Sequence, residues 1–186
     1  IICNILSFFL RNDRNKYARL VMQDFYDQEN IDFLLCGASH VAHGINPQLA
    51  KEYFSGNVFC SGTSAQKMPA TYAVLKEAIN KYKLKKVFVD LDFGMAFCQQ
   101  IKFFDKKPSV DIYLVSTYLK NKLIKYEYLL KATSPKYYLN SILPIGVDKQ
   151  IELNPITIVK NLKSKTTGEY YDYNYEAINA SYVRGG

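Results

Sequence analysis

Along the chain, short apolar runs alternate with stretches of helical spacing. Tyr17, Leu20, Val21, Asp24 and Phe25 recur at roughly helical intervals and predict a surface helix within 12–30. Ile31-Asp32-Phe33-Leu34-Leu35-Cys36-Gly37 is an apolar run ending in glycine, the pattern of a buried strand. Ala38 to Gly44 reads as a turn. Asn46-Pro47 then opens a helix to about Phe54, with Asn as N-cap and Pro at the first helical position. Asn57-Val58-Phe59-Cys60 is a second short strand, broken by Ser61-Gly62-Thr63-Ser64. Met68, Tyr72, Leu75, Ile79 and Tyr82 step by 4, 3, 4 and 3, an amphipathic helix with Lys76, Glu77, Lys81 and Lys83 outside. Lys85-Lys86 lead into a third strand, Val87 to Phe93.

Strand, helix, strand, helix, strand within about sixty residues means crossover units and a parallel sheet covered on both faces. The expected fold class is α/β, a three-layer α/β/α sandwich. Beyond Ser109, Ile112, Val115, Leu119, Leu123, Tyr126 and Leu130 step by 3, 4, 4, 3 and 4 and predict one long helix. Ser134-Pro135 opens a short helical stretch ended by Pro144. This Lys- and Tyr-rich block interrupts the alternation and reads as a helical insertion or lid. The chain thus divides into an N-terminal stub and surface helix (1–30), an α/β core (31–108), the insertion (109–147) and a partial C-terminal segment (148–186).

Composition narrows the functions. Of 186 residues, 48% are hydrophobic and 22% charged, a globular balance that excludes wholesale disorder. The net charge of +7 comes from Lys, since Arg11, Arg14, Arg19 and Arg184 are the only arginines. Arg is the residue that reads phosphate and guanine in a fixed fork, so nucleic acid is not the expected partner. Cys3, Cys36, Cys60 and Cys98 show neither CxxC pairing nor zinc spacing, and no metal or cofactor is expected. Ile1 to Leu10 is apolar but too short to cross a bilayer, and reads either as the stub of a signal anchor or as the opening of a buried helix. With Ile at the start and Val183-Arg184-Gly185-Gly186 at the end, the expectation is of a fragment of a longer protein.

In open parallel sheets, ligands bind beyond the carboxyl ends of the strands. Here those ends lead into Gly37-Ala38-Ser39-His40, Ser61-Gly62-Thr63-Ser64 and Asp90-Leu91-Asp92-Phe93-Gly94. Ser39 follows a buried strand through Gly37, so its hydroxyl can project over the sheet edge, with nearby backbone N–H groups facing a developing oxyanion. Asp90 and Asp92 alternate on a strand and face opposite sides, with Asp92 nearer the strand end as the pocket candidate. The pattern resembles the SGNH/GDSL hydrolase superfamily. It looks most like a bacterial, membrane-anchored branch, through Leu35-Cys36-Gly37-Ala38-Ser39-His40, Ile45-Asn46-Pro47, Ser61-Gly62-Thr63-Ser64-Ala65-Gln66 and the Tyr72 to Tyr82 helix. The likeness covers 31–93, with a weaker tail to about Pro144.

The resemblance implies Ser39 as nucleophile, the N–H groups of Ser39 and Gly62 as oxyanion hole, and His40, His43, Thr63, Ser64 and Asp92 around the pocket. It implies ester hydrolysis or acyl transfer on an acylated carbohydrate or lipid at the cell envelope, with possible membrane association. Two departures stand out. The third family block supplies an Asn where this chain reads Asp90-Leu91-Asp92, and the last supplies an Asp and a His, whereas no His follows His43. An alkyl serine is a poor nucleophile without an adjacent base, so the expectation is a final block beyond Gly186 and near-inactivity without it. Two rivals stand beside this reading. One is a non-catalytic relative of the same fold, serving in binding or assembly. The other is a flavodoxin-like domain holding a phosphate or nucleotide at the Gly62 to Ser64 loop. Unpaired cysteines lean towards a cytoplasmic location, against the envelope that the resemblance implies.

Overall fold

The computed structural model describes residues 16–91 and 110–138, with 154–156 and 159. Its elements are α1 (Lys16–Asp27), β1 (Phe33–Cys36), α2 (Ser39–Gly44), α3 (Pro47–Tyr53), β2 (Val58–Cys60), α4 (Met68–Lys81), β3 (Lys86–Val89), α5 (Val110–Ser116) and α6 (Lys122–Ala132), then a 3-10 turn at Pro135–Tyr137. The strands form a parallel sheet in the order β2-β1-β3, so the fold is α/β. Phe33 stands opposite Val58 and Lys86, and Leu35 opposite Cys60 and Phe88.

Because successive strand residues point to opposite faces, β1 feeds two separate apolar clusters. Leu34 and Cys36 join Phe59 with Val21, Met22 and Phe25 of α1, Ala73, Val74 and Ala78 of α4, and Ile112, Val115, Ile124 and Leu129 of α5 and α6. Phe33 and Leu35 join Val58, Cys60 and Val41, with Ile45, Ala50 and Phe54 packed against them. The helices that follow β1 therefore belong to one cluster, and the helix that follows β2 to the other. Such a change of side beside a strand leaves a crevice at its carboxyl end. In the order β2-β1-β3 that switch point falls between β1 and β3. Among the described residues no helix is long and apolar enough to cross a membrane.

Four expectations need correction. Ala38 to Gly44 is not a bare turn, for Ser39 opens α2 and the Ala42 N–H bonds the Ala38 carbonyl at 3.2 Å. The buried face of α4 is Ala70, Thr71, Ala73, Val74, Glu77 and Ala78, while Tyr72 and Ile79 are 57% and 60% exposed. Small side chains let the helix sit close to its neighbours, and a count of large apolar residues misses them. The single long helix breaks into α5 and α6. The hydroxyls of Ser116 and Thr117 turn back to the carbonyls of Ile112 and Tyr113 (3.1 and 2.6 Å), and Asn121 Oδ1 caps α6 by accepting from the N–H groups of Leu123 and Ile124. The third strand is shorter than expected, with Asp90 and Leu91 outside it, and Asp92 and Phe93 lie outside the described residues. It is also exposed, since Phe88, Val89 and Leu91 meet solvent and only β1 pairs with it among the described strands.

The block formed by α5 and α6 shares the larger cluster with α1 and α4. Glu77 shows how it is tied down: Oε1 accepts from the Tyr26 hydroxyl at 2.5 Å and from the Asn121 N–H at 2.9 Å. Burial and the bond to Glu77 raise the Tyr26 phenol far above its ordinary value. The apolar stub Ile1 to Leu10, the latter part of the insertion (139–147) and nearly all of the C-terminal segment lie outside the described residues.

Candidate functional site

The carboxyl ends of the three strands are stitched together by backbone. The Ser61 N–H donates to the Leu35 carbonyl at 2.8 Å, and the Asp90 N–H to the Cys36 carbonyl at 2.9 Å. The Ser61 hydroxyl donates to that same Leu35 carbonyl at 3.2 Å and lies 3.3 Å from the Cys36 sulfur. These bonds fix where Gly37, Gly62 and Asp90 leave the sheet, so the loops that carry the candidate residues converge at one edge.

Two glycines set the spacing. A Cβ on Gly62 would lie 2.7 Å from the Ala38 carbonyl oxygen and 2.8 Å from the Ala42 nitrogen, so the loop after β2 presses directly on the first turn of α2. A Cβ on Gly37 would lie 2.6 Å from Val41 Cγ2 and 2.7 Å from Asp90 Cβ. Both contacts are closer than real Cβ atoms tolerate, which is the physical reason for glycine at these two places.

Ser39 is half-buried at the first position of α2, just beyond the carboxyl end of β1. The α2 N-terminus has no side-chain cap. Among the described residues neither the Ser39 N–H nor the Gly62 N–H has an acceptor. Free backbone donors beside a hydroxyl are what an oxyanion would need. Thr63 is buried and Ser64 exposed.

The two histidines go separate ways. His43 stacks on Tyr17, with ring centroids 5.9 Å apart and planes inclined at 26°, on the side of α1. His40 is exposed and places Nδ1 3.7 Å from Asp90 Oδ2, an ion pair when the imidazole is protonated. Among the described residues the buried Asp90 Oδ2 has no hydrogen-bond donor, and His40 Nδ1 faces it across that gap. Among the described residues no base bonds the Ser39 hydroxyl. Asp90 is thus the acid that the described residues bring beside the first turn of α2, while Asp92 lies outside them.

The thiols nearby are not rival nucleophiles. Cys36 and Cys60 are free and buried, and burial pushes them up to about 11 and about 12, so they stay protonated at neutral pH. Among the described residues no three His, Cys, Asp or Glu side chains gather as metal ligands.

Sequence reasoning passed over Gln66. It is buried, its Oε1 accepts from the Thr63 hydroxyl at 2.8 Å, and its Nε2 donates to the Thr71 hydroxyl at 3.0 Å. The signal available was a polar residue three positions after Thr63 and five before Thr71. A cavity of about 320 Å³ between α4 and α6 was also not foreseen; its lining combines apolar Met68 and Ile124 with charged Lys76, Glu127 and Lys131. Compared with known proteins, the chain matches no family model, no curated protein and no solved structure.

Proposed function

We propose that the chain is the core of an SGNH-like serine esterase or O-acyltransferase that works through an acyl-Ser39 intermediate. The observation that carries this reading is the seat of Ser39. It opens a helix at the carboxyl end of β1, with Gly62 pressed against its turn and both backbone N–H groups free among the described residues. In the proposed reaction the Ser39 hydroxyl attacks an acyl carbonyl, its proton passes to a general base, and the two N–H groups hold the tetrahedral oxyanion. Collapse expels the alcohol, which takes a proton, and leaves the acyl group on Ser39. Water or an acceptor hydroxyl then removes it.

The parallel order β2-β1-β3 supports the finer architecture, a three-layer α/β/α sandwich with the block from α5 onward as a helical insertion. The substrate class, an acylated carbohydrate or lipid of the cell envelope, rests on the resemblance in 31–93. The test is hydrolysis of an aryl acetate by the protein purified from its natural source. Changing Ser39→Ala is expected to lower kcat/KM on the order of 10³-fold or more while leaving the folded protein intact. Unchanged activity in that variant refutes the reading.

A second reading is favoured by the side chains themselves. Among the described residues the Ser39 hydroxyl has no base, and His43 is committed to Tyr17. A non-catalytic relative of the same fold, binding a ligand in the same crevice, fits that arrangement. It predicts no turnover from either form.

A further inference from the structure

We propose that Gln66 is a positioning residue: by clamping the loop between β2 and α4 it holds the Gly62 N–H in place beside Ser39. The inference rests on the esterase reading for its catalytic meaning, while the clamp itself stands on the geometry of the loop. Ser61 is fixed to β1, and α4 begins at Met68, so the segment from Gly62 to Lys67 must turn between two anchored ends. It does so through a turn closed by the Gln66 N–H on the Thr63 carbonyl at 3.3 Å, with Ala65 at φ +51°. That is the left-handed region, which residues with a side chain rarely adopt. A turn strained in this way needs other contacts to hold it.

The Gln66 side chain supplies them. Its two ends bridge the Thr63 hydroxyl on one side and the Thr71 hydroxyl, in the first turn of α4, on the other. All three residues are buried, so the bonds face no competition from water. Thr63 follows Gly62 directly, so any slack in the bridge reaches the Gly62 amide within one residue. Gly62 has little room to adjust, since a Cβ there would lie 2.7 Å from the Ala38 carbonyl oxygen and 2.8 Å from the Ala42 nitrogen. A displacement near 1 Å at a reacting geometry can cost on the order of 10²-fold in rate.

The experiment compares the full protein with Gln66→Met, which keeps the volume and removes both bonds, and with Thr71→Val and Thr71→Ser, which remove and keep the far anchor. Two quantities are read: hydrogen exchange at the Gly62 amide, and the rate of organophosphonate addition to Ser39 per folded molecule. The expected result is faster exchange at Gly62 and at least tenfold slower addition in Gln66→Met and Thr71→Val, with Thr71→Ser close to wild type. Exchange at Gly62 that stays as in wild type overturns the inference, whether or not Ser39 reacts. Faster exchange with undiminished addition overturns it too, leaving Gln66 a purely structural residue. If the wild-type protein takes no label, the esterase reading fails, and exchange alone then decides whether the clamp exists.

Discussion

At the scale of single residues the account depends on atoms that leave no space. Gly62→Ala would drive a methyl group against the Ala38 carbonyl and the Ala42 nitrogen, both backbone, which cannot swing aside as a side chain would. The expected cost is about 1–3 kcal/mol, read by urea denaturation. Gly37→Ala meets side-chain atoms of Val41 and Asp90 instead. It should displace the Asp90 carboxylate and break its approach to His40 at a smaller cost in stability. A denaturation midpoint for Gly62→Ala equal to that of wild type would show that the loop and α2 are not in contact. The glycines were legible as strand-ending residues, because an apolar run stops at each. Their tightness was not, because it depends on which loop lies over which helix.

At the scale of elements, α4 and α6 are joined by charge as well as by packing. Glu127 accepts from Lys76 at 2.6 Å and from Lys131 at 2.7 Å. These bonds, that from Lys131 foremost, hold its carboxyl at about 2, below the ordinary 4.5. Since the folded value is the lower one, the unfolded chain takes up the proton first as pH falls. The stabilisation is complete above about pH 4.5 and is lost between there and about pH 2. Glu127→Gln should therefore narrow the fall in Tm over that window, though only slightly, because the group is exposed. An identical fall in both proteins would remove Glu127 from the account. Glu77 behaves differently, being buried beneath Tyr26 and Asn121. Glu77→Ala strands a phenol and a backbone N–H, with an expected loss of about 1–3 kcal/mol in thermal or chemical denaturation.

The same elements show what a sequence conveys and what it hides. Asn46 and Pro47 announce a helix start by local chemistry alone, and the structure places Asn46 Oδ1 on the Gln48 and Leu49 N–H groups. The face of α4 could not be announced in that way. Its burial by Ala70, Ala73, Val74 and Ala78 is decided by how closely α6 and the sheet approach, and Glu77 is drawn inside by two partners 51 and 44 residues away. The break between α5 and α6 lay in plain sight at Asn121, a residue suited to cap a helix, but apolar spacing carried straight across it. After the break the buried positions shift to Ile124, Tyr128 and Leu129, and Leu123 is left 83% exposed.

For the whole molecule, the arrangement that matters is the change of side at β1. Helices after β1 pack on one cluster, the helix after β2 packs on the other, and Ser39, His40 and Asp90 follow directly on the carboxyl ends of β1 and β3. The strand and helix alternation was enough to expect that convergence, and the Gly37-Ala38-Ser39 run was enough to centre it on a serine. The pairing of His40 with Asp90, the diversion of His43 to Tyr17 and the Gln66 bridge each needed the fold. The central claim is that Ser39 is a nucleophile, and organophosphonate labelling of the naturally produced protein, with intact mass and a peptide map, tests it most directly. The account predicts one adduct, on the peptide that contains Ser39, and none in Ser39→Ala. A protein that takes no label, or takes it elsewhere, contradicts the claim and leaves a binding module on an α/β sheet.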